Sequence, residues 1–366
     1  MGAKPDEWNK MTRAKLFQPL DIRGSEFKNR AWVSPMCQYS ADSGFISEWH
    51  RIHLGAFATG GAGLIMVEAS GVTPEGRISP SCPGIWSDEH VAKFRPIIDF
   101  AHIMGAKIGI QLAHAGRKAS TYEPWNGTGS VPIEEHGWET VAPSAIPFGS
   151  YATPRALTQS QIGELVEAFA SAAKRVVEAG FDVVEIHAAH GYLLHQFLSP
   201  LSNLRDDEYG GDFDGRTRLL LEVASAVREA ISADTPLFVR ISATDWVEGG
   251  WDLPQSIEIA KRLKVVGVDL MDISSGGLVH DAKIPFGPNY QVPFASAIRQ
   301  EADIMTSAVG LITKPEQAEE IIVSGEADAV MLARAFLRDP HWALNAAEAL
   351  GVKIAWPKQF DRARTV

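Results

Sequence analysis

Residues 183–192 of this chain read Val-Val-Glu-Ile-His-Ala-Ala-His-Gly-Tyr. The β-branched, apolar start of this stretch predicts a buried strand. Its polar residues His187, His190 and Tyr192 come at the carboxyl end of that strand. In a barrel of parallel strands, the carboxyl ends carry the active site. Two imidazoles and a phenol at that end could hold an oxygen atom of a bound molecule and protonate it.

A helix with clear ends precedes this strand. Thr158 and Gln161 have the spacing of a capping box. Apolar residues then recur with helical spacing, and Gly180 is suited to end the helix. The same pattern recurs along the chain, with Pro96 predicting a kink or a late start in one helix. Beside the strand quoted above, predicted strands cover residues 31–39, 63–70, 107–114, 236–242, 268–274, 303–309 and 327–333, and predicted helices cover residues 50–59, 88–104, 158–180, 219–231, 254–265, 293–301, 314–324 and 339–350.

The alternation of eight strands with eight helices implies parallel strands. Eight such units in 366 residues predict an α/β fold, a closed (β/α)8 TIM barrel. The alternative is an open doubly wound sheet, but the G-x-G-x-x-G turn that would support it is absent after the first strand. Residues 120–154 are rich in Gly, Pro, Ser and Trp, which predicts an elaborated loop after strand three. We expect residues 1–13 to be a loose tail and residues 14–366 to form one barrel domain.

Composition narrows the classes of partner. The net charge of −11 argues against nucleic acid or an anionic membrane surface. Cys37 and Cys82 are too few for a disulfide framework or a four-thiolate iron–sulfur cluster. The first residues lack the apolar core of a signal peptide, and no apolar run is long enough to span a membrane. We therefore expect a cytoplasmic protein in a reducing compartment.

The ends of the last two predicted strands suggest an anion site. Val309 and Gly310 offer backbone N–H groups there, and Arg334 offers a guanidinium. In barrels, this position is a recurrent phosphate site. The alternative is a simple glycine turn and an arginine paired with a helix carboxylate.

Arg240, at the end of the fifth strand, needs an anionic partner if it is buried. It could form a structural ion pair with Glu68 or Asp272, or it could face a cofactor atom that becomes negative on reduction. With Gln111 beside it, the arginine would suit an N–C=O edge such as that of an isoalloxazine. Cys37 could be a small buried apolar residue, or it could lie beside a flavin ring and tune its redox potential.

Three interpretations of His187 and His190 remain open. They could bind a metal together with another histidine such as His114, although a strand-derived H-x-x-H lacks the geometry of a helical pair. They could be core histidines with satisfied hydrogen bonds. They could also donate to a substrate carbonyl or nitro oxygen, or to a flavin carbonyl, with Tyr192 as general acid. We expect no metal.

Taken in order, the motifs resemble the Old Yellow Enzyme family of FMN-dependent ene-reductases, in its bacterial YqjM and xenobiotic reductase A-like branch. The resemblance runs from about residue 16 to residue 362. The matching segments are residues 34–39 (Ser-Pro-Met-Cys-Gln-Tyr), 84–88 (Gly-Ile-Trp-Ser-Asp), 111–118 (Gln-Leu-Ala-His-Ala-Gly-Arg-Lys), 142–145 (Ala-Pro-Ser-Ala), 187–192 (His-Ala-Ala-His-Gly-Tyr), 197–203 (Phe-Leu-Ser-Pro-Leu-Ser-Asn), 208–211 (Glu-Tyr-Gly-Gly), and Arg334 with 338–340 (Arg-Asp-Pro).

The resemblance implies a role for each site residue. His187 and His190 would bind the carbonyl oxygen of an α,β-unsaturated substrate, Tyr192 would donate the proton, and Tyr39 would cover the substrate. The tail, residues 355–366, would reach a neighbouring subunit of a homodimer or homotetramer and place Arg362 in its pocket. The remaining residues would hold FMN: Ser34, Pro35, Met36, Cys37, Ala69, Gln111 and Arg240 at the isoalloxazine, and Val309, Gly310, Ala333 and Arg334 at the phosphate.

The implied activity is an NADPH dehydrogenase or ene-reductase. NADPH or NADH would reduce FMN, and hydride from flavin N5 would then reduce the C=C bond of an α,β-unsaturated carbonyl or nitro compound. Three rivals remain. A dienoyl-thioester reductase would need an iron–sulfur cluster that two cysteines cannot ligate; the others are a metal-dependent hydrolase and a non-catalytic flavin-binding barrel.

Overall fold

The computed structural model describes residues 14–364, so the predicted loose tail, residues 1–13, lies outside the described residues. Eight parallel strands form a closed barrel with helices between them, which confirms the (β/α)8 fold. An antiparallel hairpin that the sequence did not predict, β1 (Leu20–Ile22) and β2 (Ser25–Phe27), precedes the barrel. Its strands are too short to give a periodic signal.

The other strands follow in chain order. They are β3 (Ala31–Val33), β4 (Leu64–Gly71), β5 (Lys107–Ala113), β6 (Val141–Ala142), β7 (Arg155–Ala156), β8 (Val183–Ala188), β9 (Leu237–Ser242), β10 (Leu270–Ser274), β11 (Met305–Ala308) and β12 (Ala329–Leu332). The barrel order is β10-β11-β12-β3-β4-β5-β8-β9, and β6 pairs with β7 outside it. Strand β6 lies within the predicted loop after strand three, and β7 directly follows that loop, so the loop has a small sheet of its own.

In the described part of the chain, the eight predicted helices are present, together with two short α-helices. The helices are α1 (Glu48–Thr59), α2 (Asp88–Ile103), α3 (Gln159–Ala179), α4 (Leu193–Leu198), α5 (Phe213–Ala230), α6 (Leu253–Val265), α7 (Val292–Ala302), α8 (Pro315–Val323), α9 (Arg334–Arg338) and α10 (Trp342–Ala349). The sequence did not predict α4 and α9, each of which is less than two turns long. The late start predicted from Pro96 is wrong, because α2 already begins at Asp88 and contains Pro96, and its face around Phe94 and Ile97 is buried.

Helix α3 has the predicted ends. The Thr158 side chain accepts from the Gln161 N–H, and Gly180 ends the helix with a φ of 98°. Strand β8 follows three residues later and is buried along its whole length. The helix therefore delivers the chain directly to the site strand.

Apolar side chains close the amino end of the barrel. Trp32 stacks on Phe238 at a centroid distance of 5.9 Å and contacts Phe27 of the hairpin at 5.0 Å. All three side chains are fully buried. Because this end is filled, the polar groups inside the barrel lie toward the carboxyl ends of the strands. Among the described residues, no helix has the length and apolar character needed to cross a membrane.

Candidate active site

The turn after β8 brings His187, His190 and Tyr192 together. His190 and Gly191 have φ values of 58° and 72°, so the chain reverses sharply and returns the later side chains over the strand end. The His187 ring lies 5.2 Å from the His190 ring and 5.0 Å from the Tyr192 ring, nearly perpendicular to both. The predicted cluster is thus a geometric unit at the carboxyl end of the barrel.

Glycines and a lysine hold this turn. A Cβ on Gly191 would lie 2.2 Å from the carbonyl oxygen of Gly277, so the two backbone segments touch. Lys118 bridges them, because its Nζ donates to the carbonyls of His190 at 2.8 Å and Gly277 at 2.9 Å. The sequence prediction gave Lys118 no role, although it ends the quoted 111–118 segment.

A buried imidazole also fixes the turn. The N–H of Gly191 donates to Nδ1 of His195 at 2.9 Å, so the proton of that ring is on Nε2. Nε2 faces Oδ1 of Asp245 at 2.9 Å, and both side chains are fully buried. Neither His195 nor Asp245 was predicted from the sequence. The one local signal for His195 is its position one helical turn after Gly191, the glycine whose N–H it accepts.

His187 and His190 are neutral in this environment. Burial, followed by the nearby Arg240 guanidinium, lowers the pKa of both imidazoles well below the usual value. Nδ1 of His187 accepts from the Ala189 N–H at 3.2 Å, which leaves the proton on Nε2. Nε2 of His190 lies 2.7 Å from Ser274 Oγ. The Ser274 hydroxyl also has Oε1 of Gln291 as an acceptor, at 3.3 Å, so the tautomer of the His190 ring sets which atom donates in this contact.

Tyr192 and Tyr39 keep their phenolic protons. Burial, with Cys37 as the next cause, raises the pKa of both hydroxyls above the usual value. Tyr39 has a left-handed backbone, with a φ of 49°, and its ring meets the edge of Trp125 at 5.7 Å. Trp125 comes from the elaborated loop, so this loop reaches the site.

A cavity of about 290 Å³ opens above these tyrosines. It is lined by Tyr39, Ile78, Lys118, Thr121, Tyr122, Pro124, Gly127, Thr128, Gly129, Tyr151 and Tyr192. Most of the lining that the sequence did not assign belongs to the loop after β5. Aperiodic loop sequence predicts no contacts, so these residues could be found only from the tertiary structure.

A second cavity, of about 170 Å³, lies at the ends of β11 and β12. Val309, Gly310, Ala333 and Arg334 line it together, as predicted for an anion site. Arg334 forms no ion pair with a carboxylate within residues 14–364. The described residues therefore do not provide the helix carboxylate that the alternative interpretation of this arginine requires. Gln291, which was not predicted, is buried behind the cavity and donates to the Val309 carbonyl at 3.0 Å.

Arg240 lies between the two cavities and is paired inside the barrel. Its Nε lies 3.0 Å from Oδ2 of Asp272, and its Nη2 donates to Ser34 Oγ at 3.1 Å. The alternative pairing with Glu68 is wrong, because Glu68 instead lies 3.2 Å from Nε2 of His50. Gln111 and Arg240 come from strands that are not hydrogen-bonded to each other, since β8 lies between β5 and β9. Gln111 donates to Glu185 of β8 at 2.8 Å.

Cys37 lies in an apolar cluster with Ala69, Cys82, Tyr39 and Tyr192. Both cysteines are free thiols. Contact with Cys82, followed by burial, raises the pKa of the Cys37 thiol well above the usual value. Cys37 is therefore a neutral thiol at the edge of the site.

The residues present fit an FMN molecule. The anion cavity could take the phosphate, and the buried Oε2 of Glu185 has no hydrogen-bond partner among the described residues. A Cβ on Gly310 would come within 3.2 Å of Gln291 and Tyr290, so the glycine keeps the cradle open. Within residues 14–364, no three His, Cys, Asp or Glu side chains converge as a metal site requires.

A barrel with an anion cavity, a polar edge and a paired-histidine pocket defines a flavin-dependent oxidoreductase. Residues 15–352 match the NADH:flavin oxidoreductase / NADH oxidase family. An NADPH dehydrogenase of Geobacillus sp. (strain WCH70) is 51% identical over 350 residues, covering 95% of this chain and 98% of the relative. The chain belongs to this family, within the Old Yellow Enzyme branch, and FMN is its cofactor.

Two solved structures are similar throughout. The Old Yellow Enzyme homologue from Zymomonas mobilis has a TM-score of 0.76 at 28% identity and covers 94% of this chain and 98% of its own. Morphinone reductase in complex with tetrahydroNAD has a TM-score of 0.75 at 28% identity and covers 93% and 94%. Both cover more than nine-tenths of this chain.

Proposed function

We propose that this enzyme uses NADPH, or NADH, to reduce the C=C bond of α,β-unsaturated carbonyl compounds, with nitro compounds as a second substrate class. The observation that carries the proposal is the convergence of two neutral imidazoles and one protonated phenol, with ring centroids 5.0 and 5.2 Å apart around His187. The name NADPH dehydrogenase of the Geobacillus relative supports the choice of reductant. FMN, when bound, supplies the hydride chemistry.

The chain's own residues activate the substrate. His187 and His190 donate N–H groups to the substrate oxygen and stabilise the negative charge that develops there, and one such donor is typically worth about 3 kcal/mol. Their lowered pKa values mean that each ring is neutral and has one N–H group to donate. Tyr192 holds the proton for the α-carbon, and its raised pKa keeps the proton in place until then.

The other predicted residues divide into two groups. Tyr39 covers the substrate and the remaining site residues hold the cofactor. At the isoalloxazine these are Ser34, Pro35, Met36, Cys37, Ala69, Gln111 and Arg240, and at the phosphate they are Val309, Gly310, Ala333 and Arg334. The cytoplasmic location expected from the sequence stays a prediction.

The test is a visible spectrum of the purified protein, followed by NADPH and then cyclohexenone. A flavin spectrum that bleaches with NADPH and returns with the enone supports the proposal. A colourless protein that contains bound zinc would instead favour the hydrolase. Bleaching without recovery under anaerobic conditions would leave a flavoprotein that does not reduce enones.

Replacing Tyr192 by Phe separates the two half-reactions. We expect enone reduction to slow by at least about tenfold, in line with the 10²–10⁴-fold typical of a general acid, while reduction of the flavin by NADPH is little changed. Stopped-flow absorbance measures both steps. Tyr209→Phe is the control, because that hydroxyl bonds Glu222 away from the site. Equal slowing of both steps would remove Tyr192 from the proton-donor role.

A further inference from the structure

Three ionisable side chains lie buried inside the barrel next to the proposed flavin edge. Glu185 of β8 and Asp272 of β10 are fully buried, and Arg240 of β9 is 5% exposed. The neighbour of Glu185 on β5 is the neutral Gln111. The nearest titratable neighbour of Glu185 on β8 itself is His187. One guanidinium thus faces two carboxyl groups, and a single positive charge cannot compensate two buried negative charges.

The partners decide which carboxyl group is ionised. Asp272 has one hydrogen bond, from Ser307 Oγ to its Oδ1 at 2.8 Å, and one ion pair, in which Arg240 Nε lies 3.0 Å from its Oδ2 without hydrogen-bond geometry. Glu185 accepts one hydrogen bond, at Oε1 from Gln111 Nε2, and its buried Oε2 has no hydrogen-bond partner among the described residues. A bare carboxylate oxygen in a dry interior is strongly unfavourable. Burial also raises the pKa of Asp272, but the Arg240 guanidinium and Ser307 make it the better stabilised anion of the two.

We propose that Glu185 is a neutral carboxylic acid in the working enzyme. There it orients Gln111 toward the flavin and adds no second negative charge next to Arg240. Glu185 is a positioning residue, since it acts through Gln111 and Arg240. The inference rests on FMN binding at this edge and not on alkene reduction. Burial, and then the Asp272 carboxylate, raise the pKa of Glu185 to about 8, in agreement with the geometry.

The contact with Glu185 distinguishes the two ends of the Gln111 amide. Because Oε1 of Glu185 accepts from the amide nitrogen, the amide oxygen and the second N–H remain for an N–C=O edge. Glutamine at position 185 keeps an acceptor oxygen and has no charge. It therefore mimics the neutral acid, whereas leucine removes the acceptor.

Ionisation of Glu185 would add a negative charge beside a cofactor that gains electrons. The reduced state of the enzyme then favours the protonated acid. Above about pH 8, reduction is accompanied by uptake of one additional proton, and the midpoint potential falls more steeply with pH. Glu185→Gln lacks this proton, so its potential keeps the shallower slope throughout.

Two measurements on the FMN-bound enzyme test the proposal. Spectroelectrochemistry gives the midpoint potential between about pH 6 and pH 10, and infrared difference spectra detect the C=O stretch of a protonated carboxylic acid. We expect the wild type to show the steeper slope at high pH and the carboxylic acid band at neutral pH, and Glu185→Gln to lack both. Glu167→Gln, an exposed carboxylate of α3, removes the same formal charge and should behave as wild type.

Binding of FMN to the apoprotein provides a third readout. We expect Glu185→Gln to bind FMN as tightly as wild type and Glu185→Leu to bind at least about tenfold more weakly, because the latter frees the Gln111 amide. Identical potential slopes in wild type and Glu185→Gln, or no protonated-acid band at neutral pH, would overturn the proposal even if Glu185→Leu fails to fold. None of these readouts depends on enone reduction, so a failure of that activity would leave them unchanged.

Discussion

At the scale of single residues, the site depends on groups that remain uncharged. Burial lowers the pKa of His187 and His190 well below the usual value and that of His114 to about 4. Below about pH 6.5 the unfolded chain binds protons that the native state does not bind. Stability therefore rises with pH in this range and is lost as the pH falls from about 6.5 toward 4.

His114 offers a direct test of this linkage. Its Nδ1 accepts from the Gly116 N–H at 3.1 Å, and the side-chain oxygen of asparagine could take over that role. Between pH 6 and pH 5, the protonation of His114 on unfolding costs the wild type up to about 1.4 kcal/mol of unfolding free energy per pH unit. We expect His114→Asn not to show this part of the loss. Urea unfolding of the apoprotein at several pH values measures the difference.

The control for His114→Asn is His136→Asn. His136 is exposed and has a left-handed backbone, which asparagine tolerates. Its removal should leave the pH dependence of unfolding as in the wild type. If His114→Asn also retained the full wild-type dependence, His114 would not be held neutral in the native state.

At the scale of elements, function depends on how closely the turn after β8 packs on the loop after β10. Gly191→Ala places a methyl group 2.2 Å from the Gly277 oxygen, so the turn must move. We expect a higher KM for cyclohexenone and a loss of stability larger than the roughly 1–2 kcal/mol of a left-handed alanine. Steady-state kinetics and urea unfolding measure the two effects.

Gly211→Ala is the matched control for that substitution. Gly211 has nearly the same φ, 73° against 72°, and no heavy atom lies within 4 Å of its built Cβ. We expect Gly211→Ala to be destabilised only by the left-handed backbone of the new alanine and to keep the wild-type KM. Equal effects of the two substitutions would mean that the contact with Gly277 does not hold the turn.

At the scale of the whole molecule, the open prediction is a site shared between subunits. Phe360 packs on His341 at a centroid distance of 5.1 Å, which ties the tail to its own chain beside α10. Arg362 is exposed and has no ion pair within residues 14–364. That Arg362 enters the pocket of a neighbouring subunit, as the resemblance implies, stays a prediction.

Hybrid oligomers test this prediction. Tyr192→Phe and Arg362→Ala chains are co-expressed with different tags, and the mixed oligomers are isolated. If Arg362 acts in the neighbouring pocket, each hybrid dimer has one site with both Tyr192 and Arg362 and gains enone reductase activity over either parent. Native mass spectrometry gives the oligomeric state. Hybrids no more active than the mean of their parents, or a monomeric protein, would contradict the prediction.

The sequence by itself determined the barrel and the cluster at its centre. Helical spacing, the Thr158 capping box and Gly180 are local signals, so they predicted α3 and the start of β8 closely. The count of strand–helix units then placed His187, His190 and Tyr192 at the carboxyl end. Local signals suffice for this because secondary structure and chain direction depend on neighbouring residues.

Only the tertiary structure decided the partners of these residues. Arg240 pairs with Asp272 and not Glu68, Gln111 meets Glu185, and Lys118 bridges two loops far apart in sequence. Each contact joins different strands or loops, and barrel register determines which side chains point inward at the same level. The charge state of Glu185 follows from those partners, because burial and neighbouring charges set the pKa. A sequence specifies which residues can ionise, but only their packing determines which of them do so.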